Sequence, residues 1–91
     1  MNFGKAIELL KDGKKVAREG WNGKDMFIYH VKGRVVPVEE LRSEAFFHYP
    51  LKKDADVKLC DHVDMKSADG SIVVGWNASQ TDMLATDWLV V

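Results

Sequence analysis

The sequence predicts an α+β fold: a single small domain, mainly antiparallel β-sheet with an N-terminal helix and one or two short helices. Three observations predict it. Phe3, Ala6, Ile7 and Leu10 recur at helical spacing near the start of the chain. Most of the remaining chain is cut by Gly, Asn and Asp into apolar segments of strand length. One of those cuts, Ala68-Asp69-Gly70, carries the Asp-Gly hairpin signal, which makes its flanking strands antiparallel neighbours.

Each element has its own local signal. Asn2 is placed to cap a helix over residues 3–11, and Gly13 to end it in a left-handed turn. Lys15-Val16-Ala17-Arg18 reads as a short strand, joined by the Gly20-Trp21-Asn22-Gly23-Lys24 loop to a second strand over residues 26–31. Lys32-Gly33-Arg34 reads as a tight hairpin into Val35-Val36. After Pro37, residues 38–42 begin a helix, whereas the run from Phe46 to Leu51 has no clean period, and its aromatic part, Phe46-Phe47-His48-Tyr49, reads as core or subunit interface. Residues 57–66 alternate roughly as a strand, and the Asp-Gly turn leads into Ile72-Val73-Val74. Ser79-Gln80-Thr81-Asp82 is a capping box with Asp in place of Glu, so a short helix continues through Met83-Leu84-Ala85. Trp88-Leu89-Val90-Val91 closes the chain as a strand.

Composition narrows the function classes. The 91 residues read as one domain, 1–91, short enough that oligomerisation is expected to cover leftover apolar surface. A hydrophobic content of 46%, a charged content of 30% and a net charge of −1 fit a folded soluble protein and give no charge-driven case for nucleic acid. The longest apolar runs are strand-sized and Met1-Asn2-Phe3-Gly4-Lys5 lacks a signal core, which predicts neither membrane insertion nor export. Cys60 is the single cysteine, so no internal disulfide forms and a reducing cytoplasm is expected.

Two clusters concentrate binding chemistry. Residues 76–88 place Asn77, Ser79, Gln80, Thr81 and Asp82 between Trp76 and Trp88, and residues 20–24 set Trp21 beside Asn22 and Lys24. Indoles offer flat faces for a base, amides and hydroxyls read ribose and base edges, and Lys14, Lys15, Arg18 and Lys24 supply positive charge for phosphate. A core role competes for each tryptophan. Trp88, inside an apolar strand, reads as structural; Trp21, flanked by Gly, Asn and Gly, reads as part of a site. Ser79 and Asp82 read first as capping residues.

Catalytic and metal constellations are weaker. Gly20-Trp21-Asn22-Gly23-Lys24 lacks the spacing of a phosphate-binding loop, and Gly-x-Gly-x-x-Gly is absent. Cys60 and His62 would share one face of a strand, and with His30 or His48 they make at best an incomplete zinc set. Neither an enzyme nor a cofactor or metal is expected.

The opening Asn2-Phe3-Gly4-Lys5-Ala6, residues 14–24 and residues 78–88 together resemble a family of small phage and prophage proteins that includes the second type of Thoeris anti-defence protein. The resemblance covers both ends and leaves residues 34–56 without a motif. It departs from the family pattern at Gly75 and Asn77 beside Trp76, where apolar or proline-like residues are expected. What it implies is a sponge: a homotetramer that binds and sequesters glycocyclic ADP-ribose, the signal a Toll/interleukin-receptor-domain sensor makes from NAD, in pockets between subunits in the host cytoplasm. Some members also hold cyclic dinucleotides in a separate pocket. Under this reading Trp21, with Phe27 or Trp76, stacks on adenine; Asn22, Asn77, Ser79, Thr81 and Asp82 read ribose and base edges; and Arg18 or Lys24 neutralises the pyrophosphate. The alternatives are a cyclic-dinucleotide sponge, an enzyme that cleaves the signal with Asp82 as its base, and a protein-binding inhibitor or structural phage component.

Overall fold

Asn2 caps helix α1 (Phe3–Lys11) by accepting the Lys5 backbone N–H on its side-chain oxygen at 2.9 Å. The helix ends where Gly13 takes a left-handed φ of 86°. Both termini match the sequence reading. The computed structural model describes residues 1–41, 43–48 and 55–91. Its backbone falls into two compact units, Met1–Val31 with His62–Val91, and Lys32–Asp61.

The first unit is an antiparallel sheet with α1 on one face. Strands β1 (Val16–Arg18), β2 (Phe27–Val31), β5 (His62–Lys66), β6 (Ile72–Val73) and β7 (Trp88–Val90) lie in the order β6-β5-β2-β1-β7. The chain's first strand is therefore gripped between its second and its last. Register sets the faces: Val16 is opposite Ile28 on one side and Val90 on the other, and Arg18 is opposite Trp88. Strand side chains alternate, so Val16, Ile28 and Trp88 point to one face, while Ala17, Phe27 and Leu89 point to the other. Ala6 and Leu10, one turn apart on α1, pack against the first set to form the buried core. Phe3, Ile7, Leu9, Trp21, Val63, Met65, Trp76 and Ala85 close around it, half-buried.

The Asp-Gly hairpin forms as the sequence predicts, with Met65 opposite Val73 and the Ser67 N–H donating to the Ser71 carbonyl at 2.8 Å. After it, Asp64 accepts the Gly75 N–H at 3.0 Å and the Val63 carbonyl accepts the Trp76 N–H at 2.7 Å. These two bonds fold the segment back onto β5 and set Trp76 against the core. Helix α3 (Gln80–Leu84) follows, opened by the predicted capping box.

The second unit pairs β3 (Arg34–Pro37) with β4 (Asp56–Leu59), Val36 opposite Val57. A 3-10 turn over Val38–Glu40 and helix α2 (Ser43–His48) stand between them in the chain, and Val36 and Val38 are buried. Three sequence readings are corrected here. Lys32-Gly33-Arg34 is not a hairpin, because β2 pairs with β1 and β5 while β3 pairs with β4. Gly33 serves a close approach instead: its N–H donates to Asp61 Oδ1 at 2.8 Å, and a Cβ there would collide with the Leu59 carbonyl oxygen. Residues 57–66 are two strands broken at Cys60-Asp61, so Cys60 and His62 do not share a strand. Alternation alone cannot distinguish one long strand from two short ones that pair with different partners. Finally, the helix expected from Val38 is a single 3-10 turn, with Leu41 already extended. Arg42 and residues 49–54 lie outside the described residues, and with them Tyr49-Pro50-Leu51 at the end of the aromatic run. Phe47 of that run is 81% exposed, which removes it from the core of this chain.

Candidate ligand site

Three indoles gather at the end of the first unit's sheet. Trp88 is 2% exposed and lies at its centre. Trp21 meets it edge-on at 5.3 Å between ring centroids, Trp76 at 6.3 Å, and Trp21 and Trp76 meet each other at 6.1 Å. Phe3 closes the other side of Trp88 at 5.3 Å. Edge-to-face contacts at these distances match the ring quadrupoles and fix the relative tilt of the rings. Trp21 and Trp76 are half-buried, so each gives part of its surface to the core and keeps part for solvent.

Arg18 ties this end together. Its Nε donates to Asp87 Oδ1 and its guanidinium NH1 to Asp82 Oδ1, both at 2.9 Å. Asp87 Oδ2 accepts the Gly20 N–H at 2.9 Å, and Asp82 Oδ1 accepts the Trp21 indole N–H at 3.3 Å. Asp82 also completes the capping box: its Oδ2 accepts the Ser79 N–H, while its own N–H donates to the Ser79 hydroxyl. Its carbonyl accepts the Trp88 indole N–H at 2.9 Å. One aspartate thus joins β1, two indoles and α3.

The charges respond accordingly. Hydrogen bonds from Arg18 and the Gly20 N–H hold the Asp87 carboxyl below the ordinary carboxylate range. Burial pushes Asp82 up, but bonds from Arg18, Ser79 and Trp21 outweigh it and leave the carboxyl low. Arg18 is raised by Asp87 first and Asp82 second.

A groove opens on the sheet face opposite α1. It encloses about 340 Å³ and is lined by strand residues Lys15, Ala17, Phe27, Leu89 and Val91, and by the loop residues Glu19, Trp21, Gly23, Asp25 and Met26, with Arg18 between them. The Phe27 ring lies between two ammonium groups, Lys15 Nζ at 4.8 Å and Lys66 Nζ at 5.8 Å from its centroid. Both are within cation–π range. The Lys66 ammonium also donates to the Asp25 carbonyl at 2.9 Å, which anchors it beside the groove. Aromatic surface, paired cations and loop carboxylates therefore meet in one place.

Sequence comparison places the chain among known proteins. A family model described as the Thoeris anti-defense 2-like domain matches residues 1–91. The chain belongs to the Thoeris anti-defense 2-like family. It is 38% identical, over all of its own length and 94% of the relative's, to a protein named Thoeris anti-defense 2 from Bacillus phage SP01. Membership supports a phage anti-defence role.

Within this Thoeris anti-defense 2-like chain, the residues singled out from sequence sort into three groups. Arg18, Trp21 and Phe27 line the groove. Trp76, Ser79 and Asp82 stand behind Trp21, Trp76 by ring contact, Asp82 by hydrogen bond and Ser79 as the cap of α3. Asn22, Lys24, Asn77 and Thr81 are exposed and outside the groove wall. Sequence reasoning misses Lys66 and Asp87. Lys66 reaches the site only because the β2–β5 register sets it opposite Phe27, and no local pattern announces a register. Asp87 has a legible signal, an acid between the α3 segment and the last strand, but its partner Arg18 lies 69 positions away. Among the described residues no group of three His, Cys, Asp or Glu side chains is placed to hold a metal ion.

Proposed function

We propose that this protein is a sponge that binds glycocyclic ADP-ribose and holds it uncleaved, keeping the Thoeris effector inactive. The observation that carries the reading is the groove. Phe27 between Lys15 and Lys66, with Trp21 at the rim, offers in one place a flat surface for adenine and two cations for a pyrophosphate. The Glu19 and Asp25 carboxylates in the same wall are acceptors for ribose hydroxyls. Because Arg18 is already matched to two carboxylates, Lys15 and Lys66 are better suited than Arg18 or Lys24 to face the phosphates.

Sequestration needs only mass action: with unoccupied sites at about a hundred times Kd, about one per cent of the signal stays free. The groove is open on one side, and burying most of a ligand would take a second wall, in keeping with a homotetramer whose pockets form between subunits. Among the described residues no helix is long and apolar enough to cross a membrane, in keeping with action in the host cytoplasm.

Calorimetry of the purified protein with glycocyclic ADP-ribose tests the proposal, followed by heat denaturation and mass identification of what is released. Tight binding with intact ligand recovered is the expected result. Altered ligand would make the protein an enzyme. Absence of binding would overturn the assignment and turn attention to a cyclic dinucleotide or a protein partner.

A further inference from the structure

We infer that Asp87 is a positioning residue for the Trp21 wall of the groove: with Arg18 and Asp82 it forms a clamp that sets ligand affinity without Asp87 lining the groove. The inference rests on the function proposed above for that groove. Its geometry is specific. The two oxygens of Asp87 hold successive parts of one turn, Oδ1 taking the Arg18 Nε–H and Oδ2 taking the Gly20 N–H. The turn is closed by the Trp21 N–H donating to the Arg18 carbonyl at 3.2 Å, and the Glu19 N–H donates to the Asp87 carbonyl at 3.1 Å. Trp21 is thus held at its indole N–H by Asp82, while the turn that carries its backbone is held by Asp87 through Arg18, Glu19 and Gly20. The fit is close: a Cβ on Gly20 would lie 2.9 Å from Asp87 Oδ2.

The consequence is preorganisation. An aromatic wall that is already fixed loses little freedom when a ligand stacks on it, whereas a loosened one must be ordered at the cost of affinity. Arg18 then acts through its fork, which spans two carboxylates, and not as a free cation for phosphate. Lysine would keep the charge but not the span.

Three substitutions and one control test this, with the wild type as reference. Asp87→Asn keeps the side chain's size and removes its charge; Gly20→Ala keeps every charge and displaces the carboxylate; Arg18→Lys keeps the cation and loses the fork. Each is expected to bind glycocyclic ADP-ribose on the order of three- to tenfold more weakly while the oligomer and the cooperative melt persist. Asp69→Asn, in the Ser67–Ser71 turn, is expected to bind as the wild type does. A second readout needs no ligand: in protein labelled with ¹⁵N-indole tryptophan, the Trp21 indole N–H is expected to exchange with solvent faster in all three clamp variants than in the wild type.

Unchanged affinity in Arg18→Lys and Asp87→Asn would overturn the clamp, as would an unchanged Trp21 exchange rate. Should Asp87→Asn fail to fold, Gly20→Ala reads the same displacement with the charges intact. If the wild type binds no glycocyclic ADP-ribose, the functional reading fails separately, and the exchange rates alone decide whether the clamp exists.

Discussion

Trp88→Ala is expected to abolish the cooperative fold of the Met1–Val31 and His62–Val91 unit at ordinary temperatures. Trp88 is 2% exposed and stands in the centre of a core whose other fully enclosed members are Ala6, Leu10, Val16 and Ile28, all smaller. Truncating a buried Trp costs about 3–5 kcal/mol, through lost transfer energy and the cavity left behind. A domain of this size has about 5–10 kcal/mol to lose. Two further losses compound the cavity. The Asp82 carbonyl gives up the indole N–H it accepts at 2.9 Å, and Phe3, Trp21 and Trp76 lose the ring against which each is tilted. Trp88→Phe keeps most of the packing and gives up the indole bond, so it is expected to cost about 1–2 kcal/mol and stay folded. Thermal melts followed by circular dichroism read both variants. An Ala variant melting within a few degrees of the wild type would mean that the indole cluster is not the centre of stability.

The same residues show what a sequence can and cannot announce. The Asn2 cap, the Gly13 stop, the Asp-Gly hairpin and the Ser79–Asp82 capping box are local codes, complete within a few residues, and each forms as read. Strand partnership is not local. The Lys32-Gly33-Arg34 hairpin does not form because a glycine between two strand-like segments says only that a turn is permitted, and the pairing is decided by what β3 finds at β4. The candidate site divides along the same line. The clustering of aromatic and polar residues around Trp21 and Trp76 is visible in the chain, and so is the positive charge near the first loop. That Arg18 belongs to Asp82 and Asp87, leaving Lys15 and Lys66 beside Phe27, depends on register across four strands. A cation counted in sequence is a cation; whether it is free for a ligand is decided by tertiary contacts.

Asp82→Ala is expected to destabilise the protein by about 2 kcal/mol or more at neutral pH, and acid should reproduce part of that loss in the wild type. The substitution removes the Asp82 half of the capping box, the bond its carboxylate accepts from the Ser79 N–H, worth about 1 kcal/mol, and the charged hydrogen bond from Arg18, worth at least as much. The Trp21 indole N–H also loses its acceptor. The acid effect follows from the direction of the carboxyl shifts. Asp82 and Asp87 both titrate lower in the folded protein than in the unfolded chain, so each adds stability that is present above the ordinary carboxylate range, near pH 4. That stability drains away as pH falls through the depressed folded values. Arg18 moves the opposite way from an already high value and stays charged throughout. Urea midpoints should therefore be level from neutral pH down to about 5 and fall below about 4. In Asp82→Asn the neutral-pH midpoint should be lower and the acid fall shallower, with Asp87 and the Ser71-bonded Asp69 supplying what remains of it. An equally steep fall in that variant would show that the aspartate joining β1, α3 and two indoles is not one of the groups that acid releases.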